Sequence, residues 1–190
     1  FQMTGSDDAN GRLEFNLGNA ASTAAVHLSN VRIEKTGYEE IKEDTTKKVL
    51  ADGNYVYNGS FQEGKNRLGY WDITKPENAT TEVTGLEDGR RLKVVSQKGT
   101  VVTAGQQGLA LSGDTEYVLS FSAQANEAET MTVHVAGQKF QAELTNEKKN
   151  YRFSFQTAAD LTDKNISFDL GLGTTVYLDD VRIDEDSLIK

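Results

Sequence analysis

The sequence contains no cysteine, one proline, one tryptophan and two histidines among its 190 residues. Without cysteine there is no disulfide, no cysteine-based zinc site and no thiol nucleophile. The histidines, His27 and His134, form no zinc-binding pair, and no nucleophile elbow or phosphate-binding glycine loop occurs. The adjacent acids Asp179 and Asp180 do not form a glycosidase pair, which needs carboxyl groups opposed across a cleft. These absences argue against an enzyme.

Basic residues are also few, since 20 Lys and Arg face 29 Asp and Glu for a net charge of −9. A nucleic-acid-binding protein needs a basic face to displace counterions from phosphates, so this partner is not expected. A membrane partner is not expected either, because no apolar run approaches the roughly 20 residues that span a bilayer. The first residues also lack the charged-then-apolar pattern of a signal sequence.

What the sequence does contain is the pattern of an all-β protein. Glycine is abundant at 17 residues, and the segments between turns are short and rich in Val, Thr, Phe and Tyr. Within residues 117–123, large apolar residues alternate with Val118, Ser120 and Ser122, which predicts one core face and one polar face. Strands are predicted near residues 71–74, 80–86, 91–96, 99–103, 117–123, 130–135, 151–156, 167–170 and 175–183. The predicted fold is an antiparallel β-sandwich of the jelly-roll type.

An internal repeat predicts the domain organisation. The closing stretch, residues 165–184, has an earlier copy in residues 13–18 and 26–34. Residues 1–35 are therefore interpreted as the last three strands of a preceding, truncated module, with strands near 1–3, 12–17 and 24–34. Residues 36–49 are highly charged and are predicted to be a linker, and residues 50–190 a complete second module. On this interpretation the chain is a fragment of a longer protein.

The second module resembles the carbohydrate-binding modules of families 4, 9, 16 and 22. The motifs that carry the resemblance are NGSFQEG at residues 58–64, GYW at 69–71, YVLSFSA at 117–123, FDLG at 168–171 and VYLDDVRI at 176–183. The resemblance implies a non-catalytic jelly roll, appended to a secreted or cell-surface polysaccharide hydrolase. It also implies a cleft for β-glucan or xylan, and the modules found beside β-1,3-glucanases are the most similar.

Candidate sugar-binding residues follow from alternation together with this resemblance. His134 and Asp169 match cleft positions of the family, and Gln141 lies beside the predicted core residue Phe140 and should also point outward. A sugar ring needs a flat aromatic surface as well as hydrogen-bonding groups. Alignment of Gly69-Tyr70 with the family's Gly-Trp predicts that Tyr70 is buried and that Trp71 is free to stack on a sugar. Residues 99–103 lack the aromatic that relatives carry there.

The resemblance further implies a structural calcium ion. The matching ligand positions are Ser60, Gln62 or Glu63, Gly89 and Asp179, which would supply carboxylate, amide and backbone oxygens. The first copy has Ser29 in place of Asp179 and would lack that carboxylate.

Three hypotheses of function remain open at this point. The first is a β-glucan-binding module that concentrates a catalytic domain on polysaccharide, strengthened by tandem linkage. The second is a structural spacer without a sugar site, which the missing aromatic in residues 99–103 favours. The third is a fragment of a catalytic domain, against which the absences above argue.

Overall fold

The structure is a computed structural model that describes residues 13–15, 26–31, 47–86 and 89–186. Chain contacts divide it into two units, Phe1–Thr36 and Gly37–Lys190. Of the three strands predicted in the first unit, only residues 13–15 and 26–31 are described, and they are not in strands. The remainder of those strands and most of the predicted linker lie outside the described residues, so the truncated first module stays a prediction.

The second unit is an antiparallel sandwich of two five-stranded sheets, as predicted. Sheet 1 has the order β1-β4-β9-β6-β7, and sheet 2 has the order β2-β3-β10-β5-β8. The strands are β1 Asp72–Thr74, β2 Thr80–Thr84, β3 Arg91–Val95, β4 Thr103–Gln106, β5 Glu116–Ala125, β6 Glu129–Val135, β7 Gln138–Leu144, β8 Lys149–Gln156, β9 Ile166–Asp169 and β10 Thr175–Glu185. The pairings between these strands are antiparallel, and strands that are neighbours in sequence often lie in different sheets.

The core forms where the apolar faces of the two sheets meet. Phe121 of β5 and Phe168 of β9 contact edge to face across the sandwich, with ring centroids 5.2 Å apart. Both are essentially buried, as are Tyr117 and Leu119 on the same face of β5. The alternation in the sequence therefore identified the core face of this strand.

The opposite face of β5 is less open than the alternation predicts. Val118 and Ser122 are only 1% exposed. The pairing of β5 with β10 shifts between Asp179 and Arg182, which marks a β-bulge. The Ser122 hydroxyl lies 3.3 Å from both the Asp179 carbonyl oxygen and an Asp180 carboxylate oxygen. The outward face of β5 is thus partly covered by its neighbour, and its predicted solvent exposure is wrong at these positions.

The predicted strand at residues 99–103 begins only at Thr103. Before it, the Thr100 N–H donates to the Gln97 carbonyl in a turn. This turn lies close to another loop, because a Cβ on Gly171 would lie 1.8 Å from the Thr100 carbonyl oxygen. A tight turn against a glycine takes the place of the expected extended segment.

Residues 50–71 lead into the sandwich without any strand, although all of them are described. Buried amide side chains satisfy much of their backbone. Asn58 is 9% exposed, and its amide nitrogen faces the carbonyls of Glu63, Arg67 and Gly69 at 2.9–3.2 Å. Its amide oxygen accepts from the Gln62 and Glu63 N–H groups. One side chain therefore binds backbone groups on both sides of the short 3-10 helix Lys65–Arg67, where no strand supplies partners.

The two ends of the module lie side by side. The Tyr55 N–H donates to the Ile183 carbonyl at 2.9 Å, and Arg182 forms an ion pair with Asp52 at 2.7 Å. Asn54 adds a further connection, because its amide oxygen accepts from the Ile183 N–H at 3.0 Å. The chain thus enters and leaves the sandwich at one corner.

Candidate functional site

The outer face of sheet 1 collects the polar side chains predicted from alternation. In the strand register, His134 of β6 lies opposite Ser167 of β9 and Lys139 of β7. Gln141 lies opposite Thr132, one step further along the same face. The intervening residues of β6 and β9 are buried in the core. His134, Gln141 and Asp169 therefore share one outward face, as predicted.

His134 and Asp169 form a direct pair on this face. The His134 Nε2 atom lies 3.1 Å from an Asp169 carboxylate oxygen, and both side chains are about half exposed, at 46% and 45%. A carboxylate only accepts hydrogen bonds, so Nε2 must carry the proton, which leaves Nδ1 of a neutral ring as an acceptor. The pair thus presents solvent with hydrogen-bonding groups held in fixed positions, which suits hydroxyl groups.

The aromatic residues are arranged opposite to the prediction. Trp71 is only 6% exposed, stacks on Phe61 at 5.2 Å and donates from Nε1 to the Asn58 carbonyl at 2.9 Å. It is a core residue and cannot stack on a sugar. Tyr70 is half-buried, with a left-handed φ of 70°, so the extended alternation assumed for residues 70 and 71 does not hold.

Tyr70 instead packs against Tyr57, with ring centroids 4.8 Å apart and an interplanar angle of 51°. Both rings are half-buried. Tyr70 lies two residues before Asp72, the first residue of β1, and the Tyr57 backbone is bonded to the Gln106 side chain at the end of β4. The tyrosine pair therefore borders sheet 1 at the corner between β1 and β4.

The predicted calcium ligands fall into two neighbouring pairs in the structure. The Val181 N–H donates to the Gly59 carbonyl at 3.0 Å, which brings the turn containing Ser60 beside Asp179. The Gln62 side-chain oxygen accepts a hydrogen bond from Arg90, the neighbour of Gly89. Ser60 thus lies close to Asp179 in the fold, and Gln62 lies close to Gly89.

Two of the predicted calcium ligands, Asp179 and Gln62, already contact cationic side chains. Asp179 is 4% exposed, and burial raises the pKa of its carboxyl group. Lys148 lies 3.3 Å from it and is itself about half exposed. No group of three or more His, Asp or Glu side chains in a metal-binding arrangement occurs among the described residues. Among the predicted calcium ligands, Asp179 is the one with a buried carboxylate, and the Lys148 ammonium would compete with a metal ion for this carboxylate.

Residues 53–176, more than half of the chain, match the sequence profile of the carbohydrate-binding domain family CBM_4_9. The chain belongs to this family. Members of the family are generally non-catalytic. The comparison with curated proteins gives no significant match.

Solved structures share the sandwich fold at low sequence identity. A structure described as "CBM4 structure and function" is 22% identical, with a TM-score of 0.53, and the match covers 68% of this chain and 99% of that one. TmCBM61, solved with β-1,4-galactotriose, is 15% identical at a TM-score of 0.50, covering 70% and 99%. The enzymatically active domain of tailspike protein 4 of bacteriophage CBA120 is 15% identical at 0.56, covering 70% and 21%. These matches support the sandwich fold alone.

Sequence reasoning missed the tyrosine pair of the module and the amides that hold it. Tyr57 precedes the NGSFQEG motif, and Gln106 lies 49 residues further along in β4. Nothing in the local sequence indicates that they meet. The one available signal for a surface aromatic was the adjacency of Tyr70 and Trp71, because two neighbouring residues of an extended segment point to opposite faces.

Proposed function

We propose that this carbohydrate-binding module binds a neutral β-glucan, β-1,3 or mixed-linkage, across the outer face of sheet 1. The observation that carries the proposal is the half-exposed His134–Asp169 pair on the same face as Gln141, and the tyrosine pair lies at the β1–β4 side of the same sheet. The polar groups would bind hydroxyls, and a tyrosine ring would contact the apolar face of a sugar.

The charge of this face supports a neutral ligand. Asp72 lies opposite Gly105 on the outward side of sheet 1, and Asp169 and Glu143 are also outward. In the described part of the chain, Lys139 is the one lysine or arginine among the outward residues that pair between β6 and β7. Carboxylates without matching cations would repel a polysaccharide rich in uronic acids.

The wider role follows from the family. We propose that the module is non-catalytic, belongs to a secreted or cell-surface protein, and holds an appended glycoside hydrolase near its polysaccharide. Within the described ranges, no helix has both the length and the apolar character needed to span a membrane.

A second candidate function is a structural spacer without a sugar site. The burial of Trp71 favours it, because the aromatic platform expected from the sequence is not on the surface. Binding to glycans separates the two candidates directly.

Affinity electrophoresis on laminarin, lichenan, xylan and cellulose tests the proposal. Laminarin or lichenan should retard the protein, and Tyr70→Ala should weaken binding about fivefold, because an aromatic contact contributes on the order of 1 kcal/mol. Tyr177→Ala is the matched control, since this half-buried tyrosine lies on the outer face of sheet 2 beneath Arg91. No retardation by any of the four glycans would support the spacer.

We also propose that calcium binds at Asp179 and displaces Lys148 from the carboxylate. The ion would need oxygen ligands, which Asp179 and the nearby turn at Ser60 would supply, together with Gln62 if Arg90 moves and with the loop at Gly89. The ion would stabilise the folded state, because it would neutralise the buried carboxylate of Asp179.

Thermal unfolding in calcium and in EDTA tests this site. Calcium should raise the melting temperature by about 5 °C in the wild type, and by nothing in Asp179→Asn. In EDTA the variant should be at least as stable as the wild type at pH 7. A raised pKa means that ionised Asp179 costs stability above that pKa, and asparagine keeps the acceptor for the Asp180 N–H. Equal melting temperatures in calcium and EDTA would leave Lys148 as the counter-ion.

A further inference from the structure

The hydroxyl of Tyr57 is held by the backbone at the start of the module. The hydroxyl oxygen accepts from the Lys48 N–H at 2.8 Å, and the O–H group donates to the Lys48 carbonyl at 2.6 Å. We call residues 47–50 the strap. Because both hydrogen bonds engage the hydroxyl, it is poorly placed to bind a ligand, and its role is to attach the strap.

A second contact fixes the strap to sheet 1. The Lys47 ammonium donates to the Gln107 carbonyl at 2.5 Å and lies 6.0 Å from the centre of the Tyr57 ring. Gln107 directly follows β4. The strap therefore contacts the Tyr57 hydroxyl through Lys48, and it contacts the residue after β4 through Lys47.

The backbone of Tyr57 is fixed independently. The Gln106 side chain is 1% exposed, and it accepts from the Tyr57 N–H and donates to the Tyr57 carbonyl. With its backbone held by Gln106 and its hydroxyl held by Lys48, the ring has one position, and Tyr70 packs against it. An aromatic surface held before binding costs less entropy when a sugar docks.

We propose that the strap positions the tyrosine pair of the sugar site, so that residues assigned by sequence to the linker set the affinity of the module. The inference rests on the proposed function of the outer face of sheet 1. It makes Lys47 and Lys48 positioning residues, which act through Tyr57 without touching the sugar.

Calorimetry with laminarin on the full chain tests the inference. Tyr57→Phe removes both hydroxyl hydrogen bonds but keeps the ring, and Lys47→Met removes the bond to Gln107. Each should weaken binding about three- to tenfold, the equivalent of one hydrogen bond. The double variant should bind about as well as Tyr57→Phe, because both changes release the same strap.

Two further measurements separate positioning from general destabilisation. Tyr151→Phe loses a comparable bond, from its hydroxyl to the Glu143 carbonyl at 2.6 Å, and should keep wild-type affinity. The ring-to-ring NOE between Tyr57 and Tyr70 should weaken in Lys47→Met and remain in Tyr151→Phe.

The possible outcomes are distinct. Wild-type affinity in both Tyr57→Phe and Lys47→Met, with binding lost in Tyr70→Ala, would overturn the strap while leaving the sugar site intact. Wild-type affinity in Tyr70→Ala and His134→Ala would overturn the proposed site, and the role of the strap with it.

Discussion

Replacing Asn58 with alanine should lower the free energy of unfolding by about 3 kcal/mol or more. The substitution leaves the carbonyls of Glu63, Arg67 and Gly69 without their shared donor and the N–H groups of Gln62 and Glu63 without their acceptor. Each such group costs about 1–3 kcal/mol when it stays buried, although water entering the loop recovers part of this.

Chemical denaturation followed by tryptophan fluorescence measures the change in unfolding free energy with a probe that contacts Asn58 directly. Trp71 is the only tryptophan in the chain, and its Nε1 donates to the Asn58 carbonyl. The folded variant should therefore show altered Trp71 emission as well as a lower unfolding midpoint. Asn58→Asp should also destabilise, because a carboxylate keeps the acceptors but faces three carbonyl oxygens.

The control for Asn58 is Asn78→Ala. Asn78 is exposed in the turn before β2 and should be replaceable within about 0.5 kcal/mol. If Asn58→Ala unfolds at the wild-type denaturant concentration with unchanged Trp71 emission, the amide is not what holds residues 58–71.

The second large effect is expected on binding. Asp169→Ala should reduce laminarin affinity by about 10- to 100-fold, since hydrogen bonds to a charged group contribute about 1.5–3 kcal/mol. The substitution removes both a direct acceptor and the group that holds the His134 ring in place. Asp169→Asn retains an oxygen that can accept from His134 Nε2 and should lose less affinity than the alanine variant.

Glu82→Ala provides the comparison for Asp169→Ala. Glu82 pairs with Lys93 at 2.8 Å on the outer face of sheet 2, so its removal also breaks an exposed ion pair in the same module. Affinity measured by calorimetry should be unchanged. Comparable losses in the two variants would show that Asp169 has no specific role in the sugar site.

The strands and the polar face could be predicted because both depend on the period of two along a strand. His134 and Asp169 each alternate with buried apolar neighbours, so their direction was visible in the sequence. The bulge in β10 shifts its register and places Asp179 and Asp180 against Ser122, and alternation along β5 alone carries no information about this.

The aromatic part of the site could not be predicted for a different reason. Alternation applies only to extended backbone, and Tyr70 adopts a left-handed conformation. Which of Tyr70 and Trp71 enters the core then depends on Asn58 and Phe61, whose contacts with Trp71 are set by a loop held together by side-chain amides. Such tertiary hydrogen bonds have no periodic signature.

The corner where Tyr55 meets Ile183 has a consequence for how the module can be joined to other chains. Because residues 52–55 and 182–185 run beside each other, the sandwich itself begins and ends at adjacent points, and only the strap and Ala51 lie between Asp52 and the chain before residue 47. A sandwich with adjoining ends can be inserted into a surface loop of a host domain as readily as it can be appended to a terminus. Such an insertion would leave the continuity of the host fold undisturbed.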